Sequence, residues 1–102
     1  MTRQFVISIK EYERTSPILR RQVAIQGVEP TFVPFSMENF RRMLVNFEFD
    51  ICEMSVSSYL IARDRGIPVI AIPVFPHRRF RHSYIFIDTK GRIKEPRDLI
   101  GK

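Results

Sequence analysis

Apolar residues fall along this chain in short blocks whose spacing alternates between that of strands and that of helices. Phe5-Val6-Ile7-Ser8-Ile9 is rich in β-branched and aromatic residues and reads as a strand. Ser16-Pro17 is a helix start, with a hydroxyl at the cap and proline at the first helical position. That helix is expected to reach Ala24, with Gly27 just beyond it. Val28 to Phe35 is extended. Pro30 and Pro34 lack a backbone N–H, which places the segment at a sheet edge or ends the strand early. Ser36 then caps a second helix in which Met37, Phe40, Leu44 and Phe47 form one apolar face, with Arg41 and Arg42 off it.

Phe49 to Cys52 reads as a short strand, and the aromatic residues at 40, 47 and 49 are assigned to the core. Ser55 caps a third helix in which Val56, Tyr59, Leu60 and Arg63 share a side, and Gly66 ends it. Val69 to Phe75 is a continuous apolar run of the kind that suits a parallel strand covered on both faces. Tyr84-Ile85-Phe86-Ile87 is a fifth strand, Lys90-Gly91 a turn, and Glu95-Pro96 the opening of a last helical turn. The alternation predicts an α/β fold, a mainly parallel sheet with helices on both faces. A helix start at Asp98-Leu99-Ile100 with only Gly101-Lys102 after it reads as a chain cut from something longer.

Composition narrows this picture only a little. The 102 residues suffice for one small domain, and an apolar share of 44% excludes a disordered chain. A net charge of +6 makes anions plausible partners, whether nucleic acid, an acidic metabolite or a membrane surface. Cys52 is the only cysteine, so no internal disulfide forms. There is no signal-peptide pattern at the N-terminus and no apolar run of membrane-spanning length. The expectation is a soluble cytoplasmic protein with no membrane partner, or a periplasmic one if a signal peptide has been removed.

In open α/β sheets, ligands bind outside the carboxyl ends of the strands. That rule selects three loops: Glu11 to Thr15, Glu53-Met54-Ser55 running into Val56-Ser57-Ser58, and Pro76 to Ser83. The second puts free N–H groups and hydroxyls at a helix start, which attracts carboxylate or phosphate, although from sequence alone Ser55 is better read as a simple cap. In the third, every residue from His77 to His82 except Phe80 is basic or histidine. Arginine grips carboxylates through paired hydrogen bonds, and histidine moves protons near neutral pH. A solvated charged loop fits the same residues. No nucleic-acid-binding motif accompanies it, so nucleic acid is not an expected partner. His77 and His82 make no metal signature, and no cofactor is implied. Cys52, after an apolar strand, reads as packed rather than nucleophilic. There is no glycine-rich phosphate loop and no Gly-x-Ser-x-Gly elbow.

These stretches resemble the 4,5-dihydroxyphthalate decarboxylase family, part of the type 2 periplasmic-binding-protein-like proteins. The resemblance is carried by Glu11-Tyr12-Glu13-Arg14-Thr15, Phe40-Arg41-Arg42-Met43-Leu44, the run from Phe49 to Arg63, Ala71 to Pro76, and Phe80-Arg81-His82-Ser83. The closing Asp98-Leu99-Ile100-Gly101-Lys102 looks like the family's run into a second lobe. The chain departs at its first loop, where Lys10-Glu11-Tyr12-Glu13-Arg14-Thr15 stands for the family's Gly-Asp-Tyr-Asp-Arg-Thr. The resemblance implies that residues 1–102 are the N-terminal part of lobe I, ending at the crossover toward lobe II, with the rest of a two-lobed protein absent.

The activity implied is loss of one carboxylate from a dihydroxylated phthalate, in aromatic-compound degradation. From residue chemistry, Arg14 and Arg81 would hold carboxylates, and His82 or Glu53 would deliver the proton. Ser55, Ser57 and the helix start would hold a second carboxylate or a phenolic oxygen. Thr15, Met54 and Ser83 complete the expected binding set. A solute-binding protein of an ABC-type transporter, holding a small anionic ligand, is the alternative on the same fold. The expected partners are therefore a small aromatic carboxylate and the missing second lobe. A fragment without that lobe is expected to self-associate through its exposed apolar face, and to be inactive if the cleft needs both lobes.

Overall fold

The computed structural model describes all residues from Met1 to Lys102. Three parallel strands, β1 (Arg3–Ser8), β2 (Val28–Phe32) and β3 (Ile51–Cys52), form a sheet in the order β2-β1-β3. Arg3 pairs with Val28 and Ile7 with Phe32 on one side of β1, and Ile7 pairs with Ile51 on the other. The α/β expectation and the parallel sheet are borne out. β2 lies at an edge, as Pro30 requires, and the ladder ends before Pro34.

The helices are α1 (Ser16–Leu19), α2 (Glu38–Asn46) and α3 (Val56–Asp64). α1 is much shorter than the expected run to Ala24. Arg21 adopts φ 56°, and its guanidinium donates to Glu29 Oε1 and to the Pro30 carbonyl, so the chain turns onto the β2 edge. Ser16 is the first helical residue and Thr15 the cap position. The cap of α2 is likewise Met37 rather than Ser36, and the helix ends where Phe47 enters the left-handed region at φ 52°. The apolar stripe of α2 is only partly covered: Phe40 and Leu44 are half-buried, while Met37 and Phe47 are exposed. Phe47 is therefore not core, whereas Phe49 is. α3 begins as expected, with Ser55 Oγ accepting from the Ser58 N–H at 3.1 Å. Gly66 closes it at φ +67°, a conformation that glycine adopts without strain. Its buried residue is Ala62, and of the side shared by Val56, Tyr59, Leu60 and Arg63 only Tyr59 is half-buried.

The buried residue that anchors α2 is polar. The Asn39 side-chain amide donates to Ser8 Oγ at 2.6 Å and to the Pro34 carbonyl at 3.0 Å. Its Oδ1 accepts from Ser36 Oγ and from Arg42 Nη1, both at 3.1 Å. Asn39 and Ser8 are fully buried, and this bond ties the helix start to the last residue of β1. Ile7, Phe49, Ala62 and Val69 make the apolar core.

Beyond Val69 the chain departs from the reading of two further strands. Val69 to Phe75 joins no ladder. Pro73 removes a donor from it, β3 is only two residues long, and short-range bonds such as Val74 N to Ile72 O replace sheet pairing. Tyr84 to Ile87 is not a strand either. Arg81–Tyr84 is a 3-10 turn, which Ser83 Oγ steadies by donating to the Phe80 carbonyl at 2.9 Å. The later turns are where they were expected: Gly91 N donates to the Asp88 carbonyl, and Pro96–Leu99 is a 3-10 turn closed by a reciprocal Glu95–Asp98 capping box. The radius of gyration is 18.4 Å, against about 13 Å for a compact chain of this length, and none of residues 70–102 joins the small buried core. No helix is long and apolar enough to cross a membrane.

Candidate ligand-binding site

β1 and β3 are parallel neighbours, so the loops that leave their carboxyl ends start side by side. The ladder runs one step past β3, with the Glu53 N–H donating to the Ser8 carbonyl at 2.8 Å. This sets the Glu53 side chain against the loop that follows β1. There, Glu53 Oε2 accepts from the Lys10 N–H at 3.0 Å and Oε1 accepts from the Tyr12 hydroxyl at 2.7 Å. Thr15 holds that loop in shape. It is buried, its Oγ1 accepts from the Tyr12 N–H at 2.8 Å, and it donates to the Lys10 carbonyl at 2.7 Å.

The third loop meets the first through two contacts. The Arg14 guanidinium donates from Nε to the Pro76 carbonyl at 3.0 Å, and Nη2 donates to the same oxygen. The His77 ring stacks on Tyr12, with centroids 5.7 Å apart and planes 10° from parallel. Arg14 Cζ lies 5.5 Å and Lys10 Nζ 5.9 Å from the Tyr12 centroid. The strand ends thus carry a carboxylate, a phenol, an imidazole and two cations. Burial, reinforced by Glu53, pushes the Tyr12 phenol up to about 12. It therefore remains a hydrogen-bond donor across the neutral range.

Of the residues selected from sequence, Arg14, Thr15 and Glu53 come together here. Met54 and Ser55 follow Glu53 directly and are half-buried. Ser55 Oγ donates to Ser58 Oγ at 2.7 Å and lies 3.2 Å from Ser57 Oγ, so three hydroxyls cluster at the start of α3. Arg81, His82 and Ser83 are exposed, and no hydrogen bond or ring contact joins them to Tyr12, Arg14 or Glu53. His82 packs edge-on against Phe80 at 4.8 Å, and Ser83 bonds within its own turn. Tyr12 and His77, which link the three loops, are absent from the catalytic and binding set expected from sequence. The available signal was Thr15 three residues after Tyr12, a spacing that lets a hydroxyl close the turn on the tyrosine amide.

A groove of about 400 Å³ lies elsewhere, between α2 and α3, lined by Met37, Phe40, Leu44 and Ile61 among others. It has no carboxylate, imidazole or phenol in its lining, so the strand-end cluster is the better candidate for chemistry. Cys52 precedes Glu53. Burial, with the neighbouring carboxylate, pushes its thiol up to about 11, and Sγ donates to the Glu53 carbonyl at 3.1 Å. Alkylation by iodoacetamide at pH 7.5, followed by mass spectrometry, is expected to run on the order of a hundredfold slower than for free cysteine. A rate equal to that of free cysteine would contradict this placement.

The chain is 41% identical over 101 residues to the 4,5-dihydroxyphthalate decarboxylase of Comamonas testosteroni, a match covering 97% of this chain and 31% of that protein. It is also 41% identical over 98 residues to the 4,5-dihydroxyphthalate decarboxylase of Pseudomonas putida, covering 94% of this chain and 38% of that one. The resemblance read from the motifs is borne out, and the chain spans about a third of the length of the curated relatives it matches. No protein-family model matches it.

Proposed function

We propose that this chain is the N-terminal part of the first lobe of a cytoplasmic carboxy-lyase with the type 2 periplasmic-binding-protein-like fold, and that it grips an aromatic carboxylate at the carboxyl ends of its strands. The observation that carries the reading is the convergence of Glu53, Tyr12, Arg14 and His77 at that edge, in a chain 41% identical to two proteins named for this reaction. Arg14 spends Nε and Nη2 on Pro76, which leaves Nη1 for a ligand oxygen. The hydroxyl of Ser57 and the start of α3, which Ser55 caps, hold a second carboxylate or a phenolic oxygen. Arg81 holds a ligand carboxylate from the third loop, in the turn that Ser83 steadies, and Thr15 and Met54 shape the floor. In the reaction, the bond from the ring to one carboxylate breaks and carbon dioxide leaves. The electron pair stays on the ring carbon, which takes a proton from His82 or Glu53. A second lobe, supplied by further sequence of the same protein, closes the cleft.

A graft tests this reading. This chain replaces the matching third of the Comamonas testosteroni relative, and carbon dioxide release from carboxyl-labelled 4,5-dihydroxyphthalate is followed. Release is expected, with a loss of at least tenfold in kcat for Glu53→Gln or His82→Ala, whichever supplies the proton. Ligand binding without release would favour a transporter's solute-binding protein. A folded graft that neither binds nor reacts would overturn the reading.

A further inference from the structure

We propose that Tyr12 is the positioning residue of this site, its hydroxyl fixing Glu53 while its ring docks the His77 loop. The inference rests on the reading of the strand ends as a carboxylate-binding edge. Glu53 and His77 belong to separate loops 24 residues apart in sequence, and no bond joins them directly. Tyr12 touches both: the hydroxyl reaches Glu53 Oε1 at 2.7 Å and the ring stacks on His77 at 5.7 Å. Thr15 fixes the Tyr12 backbone from below, so the ring has a rigid base. The second carboxylate oxygen of Glu53 is taken by the Lys10 N–H, which belongs to the same loop. Glu53 is thereby oriented entirely by residues 10–12. A phenol that stays protonated well above neutral pH keeps its hydrogen bond to Glu53 through the working range.

The two ends of Tyr12 predict separable losses. Tyr12→Phe keeps the stack and frees Glu53, and Tyr12→Ala frees both loops. With phthalate as the probe, Tyr12→Phe is expected to weaken binding about tenfold, the equivalent of one hydrogen bond to a charged group. Glu53→Gln is expected to cost a similar factor, and the double variant little more than either alone. Fully additive losses would overturn the proposal, because Tyr12 would not then be acting through Glu53. A ligand-free arm uses tyrosine labelled at Cζ. The ionisation of Tyr12 should move down in Glu53→Gln, toward the ordinary phenol value. Amide relaxation at residues 76–79 should be unchanged in Tyr12→Phe and report greater motion in Tyr12→Ala. An unmoved Tyr12 titration, or equal loosening of residues 76–79 in both variants, would overturn the two-ended role whatever the ligand result. If the wild-type chain takes up no phthalate while the ligand-free arm behaves as expected, the reading of function fails and the coupling through Tyr12 stands.

Discussion

Asn39→Leu is expected to lower the stability of the chain by about 3 kcal/mol, enough to leave a measurable unfolded population in buffer. Leucine fills nearly the same volume but returns none of the four side-chain hydrogen bonds of Asn39. The Ser8 hydroxyl is fully buried and loses its partner, and the Pro34 carbonyl loses a donor. Leaving a buried polar group such as the Ser8 hydroxyl unpaired costs about 1–3 kcal/mol, and the lost bonds to the Pro34 carbonyl, Ser36 and Arg42 add to it. Only seven of the 102 residues are buried, so no large apolar core offsets the loss. Urea denaturation followed by circular dichroism measures it. The Asn39→Ala, Ser8→Ala pair should be less destabilised than the sum of its single variants, since removing both partners leaves no orphaned hydroxyl. A midpoint for Asn39→Leu equal to that of wild type would contradict the anchoring role of this residue.

The second large effect is on association. Ile70 is 89% exposed and Phe86 86%, and Ile72, Val74, Phe75, Phe80 and Ile85 are also open to solvent. Covering each such side chain is worth about 1.5–3 kcal/mol, so a handful of them suffices for association at micromolar concentration. Sedimentation equilibrium is expected to give an average mass that rises above 12.1 kDa with concentration. The triple variant Ile70→Lys, Ile85→Lys, Phe86→Lys should hold the monomer mass. A wild-type chain that stays monomeric at high concentration would show that this segment folds back and covers itself.

The parts of the fold legible in the sequence are those set by local rules. Ser55 and Gly66 bound α3 because a cap hydroxyl and a left-handed glycine act within a few residues of themselves. Pro30 marked β2 as an edge because a missing donor needs no tertiary context. The early stop of α1 was not legible, since it depends on Arg21 reaching Glu29 and Pro30 across a turn. The apolar runs at 69–75 and 84–87 misled for a related reason. Hydrophobicity says that a segment wants cover, but a strand also needs a neighbouring edge, and β3 offers two residues. The site divides in the same way. Strand-end geometry found the loops, and residue chemistry with the family resemblance chose Arg14, Thr15 and Glu53 within them. Tyr12 and His77 gain their roles from each other and from Glu53, a contact between loops that no single stretch of sequence carries.

The central claim is that the loops after β1 and β3 and the Pro76–His77 segment form one carboxylate-binding edge. Amide chemical-shift mapping during titration of the chain with 4,5-dihydroxyphthalate tests it most directly. The account predicts saturable shifts clustered at Lys10–Thr15, Glu53–Ser58 and Pro76–Ser83, greatly reduced in Arg14→Ala. Shifts scattered over the basic surface and abolished by moderate salt, or none at these loops, would contradict it.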